Sequence, residues 1–260
     1  MQVFQKDFLS GRVALVTGGG TGIGRHIAAA MGAHGARVVI FGRRQAVLDE
    51  ACAAFTAAGI DCLAIAGDVR DPAAVGAAMA ATLSRFGRLD IVVNNAAGNF
   101  PARIEELSAN AFRTIIDINL QGTFNVTRAA FDAWLKEHGG VVINITAPFE
   151  GFGVAWQAHA AAAKSGVVSF TRSAAVEWRA LGIRVNAIAP GGIQRTEGAD
   201  RLGGKLTEGN RAATYGTGED VANAALFLAS DAAAFITGVN LHVDGGGAID
   251  MLKLPVYDQA

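Results

Sequence analysis

Glycine spacing is the first feature of this chain with a chemical consequence. The run Thr17-Gly18-Gly19-Gly20-Thr21-Gly22-Ile23-Gly24-Arg25 follows a short apolar stretch, Val13–Thr17, and leads into an Ala-rich one. The glycines are spaced G-x-x-x-G-x-G rather than G-x-G-x-x-G. Glycines let a backbone turn tightly and approach a pyrophosphate, and a following helix offers free N–H groups and its positive dipole end. Strand, Gly-rich turn and helix in that order read as a dinucleotide site, with Gly18, Thr21, Gly22, Ile23 and Gly24 as cofactor-binding candidates. A plain strand-to-helix turn is the alternative. The tip of the second strand bears on which dinucleotide binds. An NAD site places a carboxylate there for the ribose 2′-OH. Here Val38–Phe41 runs into Gly42-Arg43-Arg44, and the nearest acids, Asp49 and Glu50, fall inside the next helical stretch. Guanidinium groups bind phosphate oxygens through charge-assisted hydrogen bonds, so Arg43 and Arg44 suit the 2′-phosphate of NADP. The competing view is a solvated basic pair at a helix start, an unfavourable place for positive charge.

The elements that must hold these residues are legible from the alternation of short β-rich runs with longer Ala-rich ones. Strands are expected at Val13–Thr17, Val38–Phe41, Leu63–Ala66, Ile91–Asn94, Val141–Thr146, Arg184–Ala189 and Asn240–Val243. Most are continuous apolar runs, as in strands covered on both faces. Helices are expected over roughly Ile23–His34, Gln45–Ala58, Pro72–Phe86, Ala111–His138, Gln157–Leu181 and Glu219–Ala229. Asp71 before Pro72 is an N-cap followed by proline at the first helical position. Gly35 and Gly59 fall where helix C-terminal turns belong. Such alternation implies βαβ units and right-handed crossovers. The expected fold class is therefore α/β: a doubly wound parallel sheet of about seven strands in a Rossmann-like three-layer sandwich, one domain over residues 1–260.

Composition excludes other classes. The chain has 260 residues, 51% of them apolar, so it can bury a full core and is not disordered. Its 22 basic residues balance 23 acidic ones, without the basic excess that phosphate neutralisation on nucleic acid demands. Two cysteines, Cys52 and Cys62, are too few for a disulfide framework or a zinc site, and no metal site is expected. No run reaches the ~18 continuous apolar residues of a membrane span. The opening MQVFQKDFLSGR lacks the apolar core of a signal peptide, and the closing Asp-Gln-Ala is no peroxisomal address, so the cytoplasm is the expected compartment. One segment breaks the rhythm: Gly191–Gly218 is long, Gly-rich and charged. It leaves a strand C-terminus, where ligands bind in such sheets, and reads as a lid, with a short surface helix as the alternative.

These residues, with others downstream, resemble the short-chain dehydrogenase/reductase family from Gly11 to about Gly247. TGGGTGIG matches its cofactor loop and Asp68-Val69 its adenine-contacting pair. Asn94-Asn95-Ala96-Ala97-Gly98 resembles its NNAG segment, which implies cofactor contacts at Asn95 and Ala96. Asn119 falls on the family's active-site asparagine and Lys164 on its lysine. Pro190-Gly191, with Ile193 just beyond, falls on the segment beside the nicotinamide. The resemblance implies that Lys164 holds the nicotinamide ribose and that the chain forms a homotetramer. The chain then departs from the pattern. The family's acid is a tyrosine four residues before the lysine, where this chain has Ala160, and its serine thirteen residues earlier is Ala147. The two tyrosines, Tyr215 and Tyr257, lie elsewhere.

The departures are themselves similar to the 2,4-dienoyl-CoA reductases, especially the peroxisomal type and its bacterial relatives. The likeness rests on Ala96–Phe100 (AAGNF), Gly122–Arg128 (GTFNVTR), His138–Ala147, Gln157, His159-Ala160, Ala175–Trp178 (AVEW) and Arg195–Gly204. The mitochondrial type carries a tyrosine fifteen residues before the lysine and a serine four before it, positions held here by Phe149 and Ala160. The peroxisomal branch lacks both and protonates through an aspartate-held water. One such aspartate sits at the Asn119 position, and another is matched by Asp244.

Chemistry agrees with the likeness. Carbonyl reduction leaves an alkoxide that needs an acid within hydrogen-bond reach, which alanine cannot supply. A 2,4-dienoyl thioester takes hydride at C5, its charge runs to the thioester oxygen, and the proton goes to carbon. That oxyanion needs positioned donors. The resemblance thus implies NADPH-dependent reduction of a 2,4-dienoyl-CoA to a 3-enoyl-CoA. Asn119 is then an oxyanion donor or water anchor, with a structural asparagine as its alternative, and Asp244 a water holder or an ordinary Asp-Gly-Gly turn. Asn99, Phe100 and Thr146 are candidates for the acyl site. Arg195 and Arg201, like Lys205 and Arg211, are candidates for CoA phosphates or a solvated face. Two rivals stay open: a carbonyl or alcohol oxidoreductase with an atypical acid such as His159, and a non-catalytic NADP-binding protein.

Overall fold

The apolar runs pair as strands because most have neighbours on both faces and both edges. The computed structural model describes residues 4–151, 153–194 and 215–249. Its strands are β1 (Val13–Thr17), β2 (Arg37–Gly42), β3 (Cys62–Ala66), β4 (Ile91–Asn94), β5 (Gly140–Ile145), β6 (Ile183–Pro190) and β7 (Asn240–Val243). They form one sheet in the order β3-β2-β1-β4-β5-β6-β7, every pair parallel. Helices α1 (Gly22–Ala33), α2 (Gln45–Ala57), α3 (Pro72–Phe86), α5 (Ala158–Trp178) and α6 (Gly218–Ala229) cover it together with α4, which runs from Ala109–Ile116 to Lys136–His138.

Alternate residues of each strand face opposite layers, the two-residue period of extended backbone. Ala14 and Val16 pack with Ile27 and Met31 of α1, Leu48 of α2 and Val221 and Ala225 of α6. Val13 and Leu15 pack with Val75 and Met79 of α3, Val126 and Ala130 of α4 and Ala174 and Ala175 of α5. Three helices therefore sit on each face, and the expected three-layer sandwich is the observed one.

Local chemistry sets the helix ends. The Asp71 carboxylate accepts from the Ala73 N–H at 2.9 Å, with Pro72 at the first helical position. Gly35 and Gly59 adopt φ of +96° and +82° just beyond α1 and α2. The long helix differs most from expectation. It starts two residues before Ala111 because the Ser108 hydroxyl accepts from the Ala111 N–H at 3.1 Å and caps it. It also widens into π turns at Asp117–Gln121 and Phe131–Leu135, which an apolar period cannot report.

The chain winds outward from β1 to β3, then crosses back to β4 on the other side of β1. The reversal opens a crevice beyond the C-terminal ends of β1 and β4, the expected place for a ligand. Beneath it runs a buried polar chain. Asn94 Nδ2 donates to Thr127 Oγ1 and Asn144 Oδ1, and Asn144 Nδ2 donates to Thr171 Oγ1, each at 2.8 Å. It ties β4 and β5 to α4 and α5. Replacing Asn144, which is fully buried, orphans an Asn94 amide hydrogen on one side and an acceptor lone pair of Thr171 Oγ1 on the other. Asn144→Val is expected to lower the unfolding free energy by about 1–3 kcal/mol, read from the midpoint of urea unfolding.

Candidate active site

Beyond β1 and β4 lies a cleft of about 350 Å³. Gly18, Thr21, Gly22 and Ile23 line one wall, Gly42, Arg43 and Arg44 another, and Asp68, Val69 and Asn95–Asn99 a third. A smaller hollow of about 210 Å³, between Leu9, Arg12 and Ser230, sits at the other end of β1, where the chain enters that strand.

The narrow end is built by close approach. Thr17 Oγ1 accepts from the N–H groups of Asn95 and Ala96, both at 2.9 Å. Asn95 Nδ2 donates to the Thr17 carbonyl at 2.9 Å and lies near that of Gly18 at 3.4 Å. Gly18 has φ +65°, a left-handed conformation that favours glycine. A Cβ on Gly24 would lie 2.4 Å from Asn95 Nδ2 and 2.5 Å from the Gly18 carbonyl oxygen, so only glycine fits there. Thr21 makes no side-chain cap to α1, whose first turn carries no carboxylate. A bare helix start behind a backbone turn without side chains fits a pyrophosphate. The exposed Arg43 and Arg44 at the tip of β2 add positive charge on the same cleft. Arg70 forks onto Asp68, with Nη2 to Oδ2 at 2.7 Å, and holds that carboxyl below its usual range. Asn125 Nδ2 donates to the Val69 carbonyl at 2.9 Å and anchors this wall to α4. The residues present fit a bound dinucleotide.

Of the expected catalytic residues, Asn119 meets the cleft wall at Gly98, while Lys164 and Asp244 lie at the ends of β5 and β7 and are not among the residues that line the cleft. Asn119 sits in the first π turn of α4, fully buried. Its Nδ2 donates to the carbonyls of Gly98 at 2.8 Å and Ile115 at 3.0 Å, and its Oδ1 accepts from the Gly98 N–H at 3.3 Å. Both amide hydrogens are thus directed at backbone. The residue clasps the segment after β4 to the helix. Lys164 Nζ donates to the Ile145 carbonyl at 2.6 Å, and burial pulls its pKa down to about 8. Ala160, one turn earlier on the same face of α5, is buried and apolar. The Thr146 hydroxyl lies between the Ile188 carbonyl at 3.0 Å and Asn240 Oδ1 at 2.9 Å, turned toward β6 and β7. Asn99 Nδ2 donates to Gln157 Oε1 at 2.6 Å. The residue types made both visible, but a partnership across so much sequence needs the fold.

At the exit of β6 the Gly191 N–H donates to the Val243 carbonyl at 3.0 Å, which extends the pairing of Pro190 with Val243. Asp244 packs so closely on Gly191 that a Cβ there would lie 2.9 Å from the Asp244 Cβ. Asp244 accepts from the N–H groups of Gly246 at 3.0 Å and Ala248 at 2.8 Å, so its carboxylate also organises its own turn. Ile193 is buried and bridges to Gly216, so the two described ends of the expected lid lie side by side. The Tyr215 ring rests against Gly192. Arg195, Arg201, Lys205, Arg211 and Tyr257 lie outside the described residues.

Lys164 generates a test with a definite sign. Its folded pKa of about 8 lies below the ordinary 10.5. Between those values the unfolded chain holds more protons, so this lysine makes stability rise with pH. Below pH 8 the fold carries the full burden of a buried ammonium. The stability of Lys164→Met relative to the wild type is therefore expected to be greatest below pH 8 and to fall toward pH 10.5, read from urea midpoints across that range. A constant difference would contradict it.

Comparisons with known proteins agree with this architecture. The sequence model of the family described as enoyl-(acyl carrier protein) reductase matches residues 18–247. A peroxisomal 2,4-dienoyl-CoA reductase ((3E)-enoyl-CoA-producing) of Danio rerio is 44% identical over 251 residues, covering 94% of this chain and 84% of the relative. A probable 2,4-dienoyl-CoA reductase ((2E)-enoyl-CoA-producing) of Bacillus subtilis is 37% identical over 247 residues, covering 90% and 96%. Among solved structures, a citronellol catabolism dehydrogenase of Pseudomonas aeruginosa superposes with a TM-score of 0.85 at 35% identity, covering 95% of this chain and 99% of that one. With its crossover cleft, Gly-lined turn and lysine-bearing α5, this chain belongs to the short-chain dehydrogenase/reductase family, and it is an oxidoreductase using a nicotinamide cofactor.

Proposed function

We propose that the chain reduces 2,4-dienoyl-CoA thioesters with NADPH. The observation that carries this reading is the buried methyl of Ala160, one helical turn before Lys164. Where the family places a phenol, this site is apolar. Direct protonation of an alkoxide is unsupported there, whereas a delocalised anion that takes its proton on carbon is not penalised. The dienoyl-CoA reductase names of the relatives support the same choice.

Held by the Gly-rich turn and Arg43-Arg44, NADPH would supply a hydride to C5 of the dienoyl chain. The C4=C5 electrons form a C3=C4 bond, the C2=C3 electrons form C1=C2, and negative charge gathers on the thioester oxygen. A proton from water then enters at C2, leaving the 3-enoyl thioester. In this reading Lys164 orients the nicotinamide ribose and adds positive potential. Asn119 positions Gly98 and the Asn99–Phe100 segment. Asp244 orders the water side of the β6 exit. Asn99 and Phe100 border the acyl chain, and Arg195 and Arg201 meet CoA phosphates. Arg43 and Arg44 select the 2′-phosphate of NADPH. The exposed Phe112 and Phe124 of α4 and Val176 of α5 are apolar side chains suited to burial in a homotetramer. The cytoplasm is the proposed compartment.

The Bacillus subtilis relative is named for a (2E) product, so protonation at C4 is the second reading. Proton NMR of the product distinguishes the two. Purified protein is expected to consume NADPH with 2,4-hexadienoyl-CoA and not with a panel of ketones. Turnover of ketones alone overturns the reading, and NADPH binding without any turnover supports a non-catalytic role. Arg43→Ala is expected to raise the KM for NADPH by about 10–100-fold, the worth of one hydrogen bond to a charged group, and to leave that for NADH nearly unchanged.

A further inference from the structure

The proposed reaction gathers charge on a thioester oxygen, and the polar groups named so far are already engaged. Both Asn119 amide hydrogens point at backbone carbonyls. The Thr146 hydroxyl serves Ile188 and Asn240, and Lys164 donates to Ile145. Ala147 and Ala160 remove the two hydroxyls that relatives of the general pattern carry. Lys164 and Asn99 keep N–H groups beyond the bonds given, but in this reading the first serves the nicotinamide ribose and the second the acyl segment, so the oxyanion still lacks a donor of its own.

One buried imidazole has no hydrogen bond of good geometry. His159, which opens α5 beside Ala160, is fully buried. Among the described residues, the fully buried side-chain atoms without a hydrogen-bond partner are its two ring nitrogens and the acceptor Asn94 Oδ1. Burial lowers its pKa, and a weak, poorly aligned hydrogen-bonding contact with the Phe100 main chain raises it back only in part. The ring is therefore a neutral imidazole with one N–H. An imidazole enclosed with no more than that contact is destabilising, and such groups in folded proteins call for a reason. What covers it is the Phe100 ring, with centroids 4.5 Å apart at 45°. Phe100 is itself 36% exposed. It directly follows Asn99, which lines the cleft and is clasped to Gln157 at the start of α5. The cover thus belongs to the segment that borders the cleft, and an apolar acyl chain can take its place against the ring.

We propose that His159 is the hydrogen-bond donor to the thioester oxygen, uncovered when the acyl chain displaces the Phe100 ring. It donates and keeps its hydrogen. No proton is transferred, and the anion is neutralised by the proton that enters from water at carbon. This rests on the dienoyl-CoA reading and names the group that stabilises its intermediate.

The test compares wild type with His159→Phe, His159→Leu and His159→Gln. Phe and Leu fill the space without a donor, and either one that folds suffices. Gln restores an N–H. Three quantities are measured: NADPH affinity by fluorescence, kcat with 2,4-hexadienoyl-CoA, and the ultraviolet absorption of that thioester bound with NADP⁺. A donor on the thioester oxygen polarises the conjugated system and shifts its absorption to longer wavelength. In the Phe and Leu variants, kcat is expected to fall about a hundredfold, in line with loss of one oxyanion donor. The red shift should vanish, NADPH affinity should stay within threefold, and thermal stability should hold or rise. Gln should recover part of both the rate and the shift. An active wild type whose Phe and Leu variants keep the rate and the red shift overturns this assignment and leaves the dienoyl-CoA reading intact. A wild type that does not turn over the thioester overturns the reading and the assignment together.

Discussion

The site depends on how closely the end of β4 approaches the turn after β1. Thr17 Oγ1 takes two backbone N–H groups from Asn95 and Ala96, while Asn95 returns an amide hydrogen to the Thr17 carbonyl. This contact exists because Gly24 has no side chain in the space that Asn95 fills. The same absence brings the start of α1 close to the strand ends, which leaves backbone rather than side chain facing the cleft. One steric constraint therefore creates the anion cradle and sets the height of the segment that carries Asn99 and Phe100. Every other feature of the site is placed relative to that seam.

Around the seam, polar groups are mostly committed to holding backbone. Asn119 clasps Gly98 to α4, Asn125 holds Val69, and Asn94 and Asn144 join the strands to two helices. Committed groups are rigid, and rigidity preserves the geometry a hydride transfer requires. Their engagement also means that they contribute position more than chemistry. The apolar Ala160 beside Lys164 completes the pattern: a framework that orients a cofactor and an extended substrate, without a side-chain acid at the usual place. The uncommitted imidazole of His159 stands out against this background.

Much of this was legible before any coordinates. Apolar runs marked seven strands whose cores agree with those observed, and Asp71-Pro72, Gly35 and Gly59 marked helix ends, because caps and left-handed turns depend on local chemistry. The start of α4 was also written locally, in Ser108, but the apolar period drew attention to Ala111 instead. The π turns were not legible. The first ends at Gly122, which packs closely on Val69, a contact between distant segments that no local period reports. The long Gly-rich segment was recognisable as an interruption, and only its ends are described, joined by the bridge between Ile193 and Gly216.

By itself, the sequence determined the layer architecture, the Gly-rich turn after β1, the basic pair at the tip of β2 and the loss of the customary acid. Each of these follows from residue type and short-range spacing, where steric and hydrogen-bonding preferences act between near neighbours. Tertiary structure alone decided which polar groups are spent and which remain. Whether Asn119 faces a ligand or a carbonyl, and whether His159 has a partner, depends on contacts between residues far apart in the chain. Hydrogen-bond satisfaction is a property of the packed interior, so it becomes definite only when strands and helices come together.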